Sequence, residues 1–173
     1  MDVWTAIRTK RMIREFQDRA LEPAHLERIV DAGRHAGSSK NKQRWDFIVV
    51  EDREILRRLG EVGPWAGHIA GAAAAVALVT PDPHAPAASL SITWDSGLAA
   101  ENMLLAAWEL GIGSCPATVY EQEKAREILR YPDELFCGYI LSFGYPKDEG
   151  DLTRPPKAGG RRSLDEVTHR DRW

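Results

Sequence analysis

Cysteine is scarce in this chain. Only Cys115 and Cys137 occur among 173 residues, too few for a disulfide scaffold and spaced like neither a CxxC redox pair nor a zinc knuckle. Both thiols are expected to be reduced, as in a cytoplasmic protein. Charge of one sign is also lacking: the net charge of -3 and pI near 6.0 give no global attraction to nucleic acid or to an anionic membrane. The most apolar stretch, Ile69 to Val79, is about half the length a membrane span needs. No apolar signal core follows Met1-Asp2-Val3-Trp4, so secretion is not expected. His25, His35, His84 and His169 are scattered without ligand spacing, and no metal is expected. GxGxxG, GxxxxGK[ST], HExxH and GxSxG are all absent. The usual nucleotide, metalloprotease and hydrolase signatures therefore fail, leaving chemistry that a cofactor carries.

What is present is ordinary globular material. Hydrophobic residues make up 43% and charged residues 28%, so the chain should fold, as one domain over residues 1–173. Asp2 is a candidate N-cap for a short helix ending near Lys10. Pro23 opens a second helix to about His35, with Leu26, Ile29, Val30 and Gly33 on one face. Trp45 to Val50 reads as a strand, and Asp52 caps a helix through Leu59. Ala73 to Thr80 reads as the next strand, and a long apolar helix follows from about Ser89 to Leu110. Gly111-Ile112-Gly113 ends it. Ser114 to Val119 is a strand, Glu121 to Arg130 a helix, and Phe136 to Phe143 a final buried strand. The pattern is α+β, with helices around a small sheet. The tail, with Pro155, Pro156, Gly159 and Gly160, has no periodicity before Leu164 to Val167 and needs something to lie against, a second subunit being one candidate.

Two basic clusters could meet an anion. One is Arg8, Lys10, Arg11 and Arg14, in which helical spacing would pair 8 with 11 and 10 with 14. The other is Lys157, Arg161 and Arg162. Between them lies the polar loop Ser38-Ser39-Lys40-Asn41-Lys42-Gln43-Arg44-Trp45, opening onto a strand and able to offer hydroxyls and amides to a sugar-like chain. Taken alone, each cluster is a solvated face and the loop a helix-to-strand turn.

In this order, the segments resemble the nitroreductase family of FMN-dependent NAD(P)H oxidoreductases. Ala6-Ile7-Arg8-Thr9-Lys10-Arg11-Met12-Ile13-Arg14-Glu15-Phe16 is similar to the family's opening motif. Ala36-Gly37-Ser38-Ser39-Lys40-Asn41-Lys42-Gln43-Arg44-Trp45, with the apolar strand after it, resembles the second motif and is the most specific match. Asn102 to Cys115 resembles the central helix and its Gly-rich exit, Gly144-Tyr145-Pro146 the end of the last core strand, and Arg161-Arg162-Ser163-Leu164-Asp165-Glu166-Val167 the basic closing tail. The chain departs from the family at Met12 in place of a small polar residue, at Arg44 in place of proline, and at Gly63 to His68, which lacks an Asn and a Lys seen in some members.

The resemblance implies a three-layer α+β fold with a mainly antiparallel sheet. It also implies an intertwined homodimer holding FMN at its interface, with NADH or NADPH as hydride donor and a nitroaromatic or quinone as acceptor in a ping-pong cycle. Carried over by position, Lys10, Arg11 and Arg161 would hold the phosphate. Ser38, Ser39 and Asn41 would line the ribityl chain and ring from either subunit, Arg14 would face the pyrimidine edge, and Cys115, Pro116 and Ala117 would pass near the ring. Met12 and Gly37 belong to the same motifs and count as cofactor-binding. Trp65 and His68 are substrate-side candidates, and no protein residue need be catalytic. Two further readings are a specialised flavoprotein (dehalogenase or flavin-modifying) and a non-catalytic FMN-binding protein.

Overall fold

The computed structural model describes residues 1–155 and 160–173. The expected features at Pro156, Lys157 and Gly159 lie outside the described residues. Helix α1 spans Val3–Thr9, and the Asp2 carboxylate accepts the Thr5 N–H at 3.0 Å, satisfying a donor the first turn would otherwise leave bare. Helix α2, Pro23–Arg34, carries proline where a missing N–H costs nothing. Strand β1 is Asp46–Val50, and α3 is Arg53–Leu59 with Asp52 as its cap. Strand β2 (Ala74–Pro81), helix α4 (Ser91–Glu109), strand β3 (Gly113–Thr118), helix α5 (Gln122–Leu129) and strand β4 (Leu135–Gly144) follow. A short α6, Leu164–Val167, is closed by a Ser163–Glu166 capping box. Every boundary lies within two residues of its expected place. No helix among the described residues is long and apolar enough to cross a membrane.

The strands form one sheet in the order β1-β2-β4-β3, antiparallel throughout. Alternation along β2 divides its side chains between two cores. Ala75, Ala77 and Val79 face a cluster with Leu56, Leu59, Ile69 and Ile128. Ala74, Val76 and Leu78 face Ile29, Met103 and Leu104. Both faces are therefore covered by helices, giving three layers. Burial on both sides also explains why β2 is a continuous apolar run rather than an alternating one.

One element departs from expectation. The pairing of Arg8 with Arg11 and Lys10 with Arg14 along a helix does not occur, because α1 stops at Thr9 and the next residues are extended. They lie along β3, where Met12 bridges Ser114 in parallel and the Ile13 N–H donates to the Ser114 carbonyl at 2.9 Å. Phe16 bridges Pro146, and the Gln17 N–H donates to the Tyr145 carbonyl at 2.8 Å. Such close passage requires glycine beneath it: a Cβ on Gly113 would lie 2.7 Å from Ile13, and one on Gly144 would lie 2.8 Å from Phe16.

The tail stands apart from both cores. Residues 160–173 are all exposed, with Leu164 at 76% and Trp173 fully open to solvent.

Substituting Gly113→Ala is expected to push the Ile13 backbone off the β3 edge at a cost of about 1–3 kcal/mol, the range for overpacking. Urea denaturation measures this, and a midpoint equal to that of the parent would refute the close approach.

Candidate active site

The extended course of residues 10–16 decides which basic side chains are available. Ile13 turns inward and is buried, so alternation points Met12 and Arg14 outward. Lys10 is nearly covered and pairs with Glu101 of α4 at 3.2 Å. The Arg11 guanidinium donates to the Arg154 carbonyl. Arg8 lies over the Trp4 ring, 5.9 Å from its centroid. Neither Arg8 nor Arg14 makes a hydrogen bond or ion pair among the described residues, and of the two only Arg14 lines a cavity there.

Arg14 is the wall shared by two cavities. One, about 640 Å³, is lined by Arg11, Met12, Glu15, Lys147 and Arg154 among others. The other, about 710 Å³, is lined by Arg14, Pro64, Trp65, Gly67, His68 and Pro116. The second offers flat apolar surface beside one uncommitted cation, a fitting place for a ring with a developing negative charge. Trp65 is 78% exposed at its mouth. Cys115 and Ala117 are buried behind it in β3. Burial pushes the Cys115 thiol up, with Arg14 and Lys10 opposing, so it is no ready nucleophile.

His68 turns both ring nitrogens into the protein. Ser142 Oγ donates its one proton to the Cys115 carbonyl at 3.2 Å, so the network assigns the His68 proton to Nδ1, which donates to Ser142 Oγ at 2.8 Å. Nε2 is buried without a partner. Burial, then the charge of Arg14, holds the imidazole below its ordinary pKa, against a contrary pull from the Pro116 carbonyl. In this arrangement His68 braces β3 and β4 rather than presenting a proton to the cavity.

The second motif is elsewhere. Gly37, Ser38, Ser39 and Asn41 precede β1, at the sheet edge opposite β3 and three strand spacings, roughly 14 Å, away. None of these residues lines either Arg14 cavity. Lys40, Asn41 and Gln43 adopt positive φ of 54°, 51° and 46°. Internal and external bonds hold this conformation: the Gln43 N–H donates to Ser38 Oγ at 2.9 Å and the Ser39 N–H to Asp95 Oδ2 at 3.1 Å. Arg161 is exposed in the tail and makes no ion pair among the described residues. A third cavity, an apolar groove of about 650 Å³ between α2 and β1, contains none of the candidate residues.

Sequence reasoning missed Glu101, Ser142, Asp95 and the Arg154 carbonyl. Each is remote from its partner, Ser142 by 74 positions and Asp95 by 56, and no local pattern marks it.

A three-layer α+β fold with a cationic cleft at one sheet edge defines a class that solved structures already contain. A crystal structure from Parabacteroides distasonis, provisionally named an NADH dehydrogenase/NAD(P)H nitroreductase, superposes with a TM-score of 0.85 at 26% identity, covering 98% of each chain. An FMN-dependent nitroreductase from Clostridium difficile R20291 gives 0.80 at 26% identity, over 99% of this chain and 100% of its own. The profile of the Nitroreductase family matches residues 7–63 and 62–145. A protein of Archaeoglobus fulgidus with the same provisional name as the Parabacteroides one is 38% identical over 96% of both chains. The chain belongs to the nitroreductase family, and is an enzyme of that oxidoreductase class.

The His68 assignment has a pH signature. With the folded-state pKa below the ordinary histidine value of 6.5, the unfolded chain binds the proton more readily, so stability is lost as pH falls through about 6.5. Calorimetric melting from about pH 8 to about pH 5 should show His68→Asn losing less than the parent; parallel curves would exclude a buried neutral imidazole.

Proposed function

We propose that the chain is an FMN-dependent oxidoreductase that draws hydride from NADH or NADPH and reduces a small acceptor such as a nitroaromatic or quinone, in a ping-pong cycle. The observation that carries this reading is Arg14, a cation without a partner among the described residues, set between two cavities and beside the apolar wall of Pro64, Trp65 and Pro116. The residues present fit FMN: Arg14 for the electron-rich edge, apolar surface for the ring, and Arg11 and Arg161 for a phosphate. Bound FMN supplies hydride acceptance from the nicotinamide and delivery to the acceptor, so no protein nucleophile is required. Arg14 favours negative charge in the cleft, and the covered Lys10–Glu101 pair fixes the segment that carries it. The family match and the names of the relatives from Archaeoglobus fulgidus and Clostridium difficile support the same activity.

The site is completed by a second copy in this proposal. Ser38, Ser39 and Asn41 stand at the opposite sheet edge from Arg14, and a symmetric pair lets one chain's loop meet the other's cleft. The exposed apolar side chains Val3, Trp4 and Ile7 of α1 and Trp94 and Leu98 of α4 supply an apolar surface for that pairing.

The purified protein should carry or take up FMN, and its visible flavin bands should bleach on anaerobic addition of NADH or NADPH. A colourless protein that takes up no FMN and oxidises neither nicotinamide would overturn the proposal. Arg14→Ala should weaken FMN binding about 10- to 100-fold, the loss of a charged hydrogen bond, with the thermal melting of the flavin-free protein unchanged.

A further inference from the structure

The polar loop before β1 owes its shape to a buried carboxylate that the cleft itself does not contain. Asp95, in the first half of α4, is only 2% exposed, and its Oδ2 accepts the Ser39 N–H at 3.1 Å. It has no ion-pair partner among the described residues. A side chain this covered needs its polar atoms answered inside the protein, and the Ser39 N–H answers one of them.

What it holds is a strained turn. Three of the four residues from Lys40 to Gln43 have left-handed φ, a conformation that side chains with a Cβ adopt only when their surroundings impose it. The Ser38 hydroxyl closes the loop on itself by accepting the Gln43 N–H. Among the described residues two hydrogen bonds tie it to the body, and both run to α4: Arg44 Nη1 to Ser91 Oγ at 3.1 Å, and the Ser39 N–H to Asp95. The Arg44 tie lies past the strained residues, at the entry to β1. Asp95 is therefore the one outside hydrogen-bonding anchor of Ser38–Asn41 among the described residues. All three side chains are exposed enough to meet a ligand, Ser39 and Asn41 standing in solvent and Ser38 half-buried.

We propose that Asp95 is a positioning residue of the flavin site: through the Ser39 amide it fixes Ser38, Ser39 and Asn41 in the conformation that meets FMN held at Arg14 of a second copy. This rests on the FMN reading given above. Asp95 touches no reacting atom. It acts from the far side of the loop, and in the dimer it serves the cleft of the other chain.

Two substitutions separate the hydrogen bond from the charge. Asp95→Ala removes the acceptor, whereas Asp95→Asn keeps an oxygen for the Ser39 N–H and discards only the charge. FMN titration by flavin fluorescence and hydrogen exchange of the loop amides in the flavin-free protein are the readouts. Asp95→Ala should weaken FMN about tenfold, the scale of one lost hydrogen bond to a charged group, and speed exchange across residues 38–43. Asp95→Asn should restore both to near the parent. Equal loss of FMN in the two variants, or parent-like binding and exchange in Asp95→Ala, would overturn the proposal. Should Asp95→Ala fail to fold, Ser39→Pro against Ser39→Ala makes the test from the loop side. Both lose the hydroxyl and only the proline variant loses the N–H, so equal FMN affinities of these two would also overturn it.

Trans action is tested by mixing chains. A dimer of one Arg14→Ala chain and one Asp95→Ala chain should regain one parent-like FMN site, since the intact Arg14 and the intact loop then face each other. Two weakened sites would overturn action across the dimer. A parent protein that takes up no FMN removes the reading beneath the proposal, and loop exchange in Asp95→Ala then decides alone whether the carboxylate holds the turn.

Discussion

The pairing of β2 with β4 is the constraint on which the molecule depends. Both strands lie in the middle of the sheet, and β2 is buried along both faces. A central pair of this kind cannot carry function, since any polar group on it would need a partner inside the core. Chemistry is pushed to the two outer strands. The edge at β3 receives the N-terminal segment and its cations, and the edge at β1 receives the strained polar loop. The separation of these two groups is thus a consequence of how the core is built.

Electrostatics then distributes the work among like residues. Lys10, Arg11 and Arg14 fall within five positions, yet each has a different fate: one neutralised by Glu101, one tied to a main-chain carbonyl, one left open. The pairs are structural because their partners are fixed on α4 and at the base of the tail. A cation paired with a carboxylate, as Lys10 is, is weaker bait for an anion than one without such a partner, since its field is already answered.

Most of the fold was legible from residue pattern. The run from Ala73 to Thr80 announced a strand, and Asp2, Asp52 and Pro23 marked helix starts. The strand order was not legible, because it is decided by contacts between distant segments. Residues 10–14 misled for a plain reason: cations at spacings of three and four suit a helix surface, and nothing local says that the helix has ended. Gly113 and Gly144 were the available signal, two glycines whose missing side chains make room for Ile13 and Phe16. The candidate site was legible through its motifs, while its supports were not. Asp95 sat unremarked inside an apolar helix, where a polar residue reads as part of an exposed face until the loop that uses it is seen.

The edge at β3 has a bearing on how the chain is made. Met12 meets Ser114, and Gln17 meets Tyr145, so this segment, synthesised well before β3 and β4, finds its place only after both of them exist. Contacts this distant in sequence close loops at a high entropic cost and come late in folding. On the ribosome the basic segment must wait in solution, exposed and unpaired, while the sheet assembles behind it. The cleft is therefore a product of completed folding, and a chain halted short of β4 would hold its cations with nothing to lay them against.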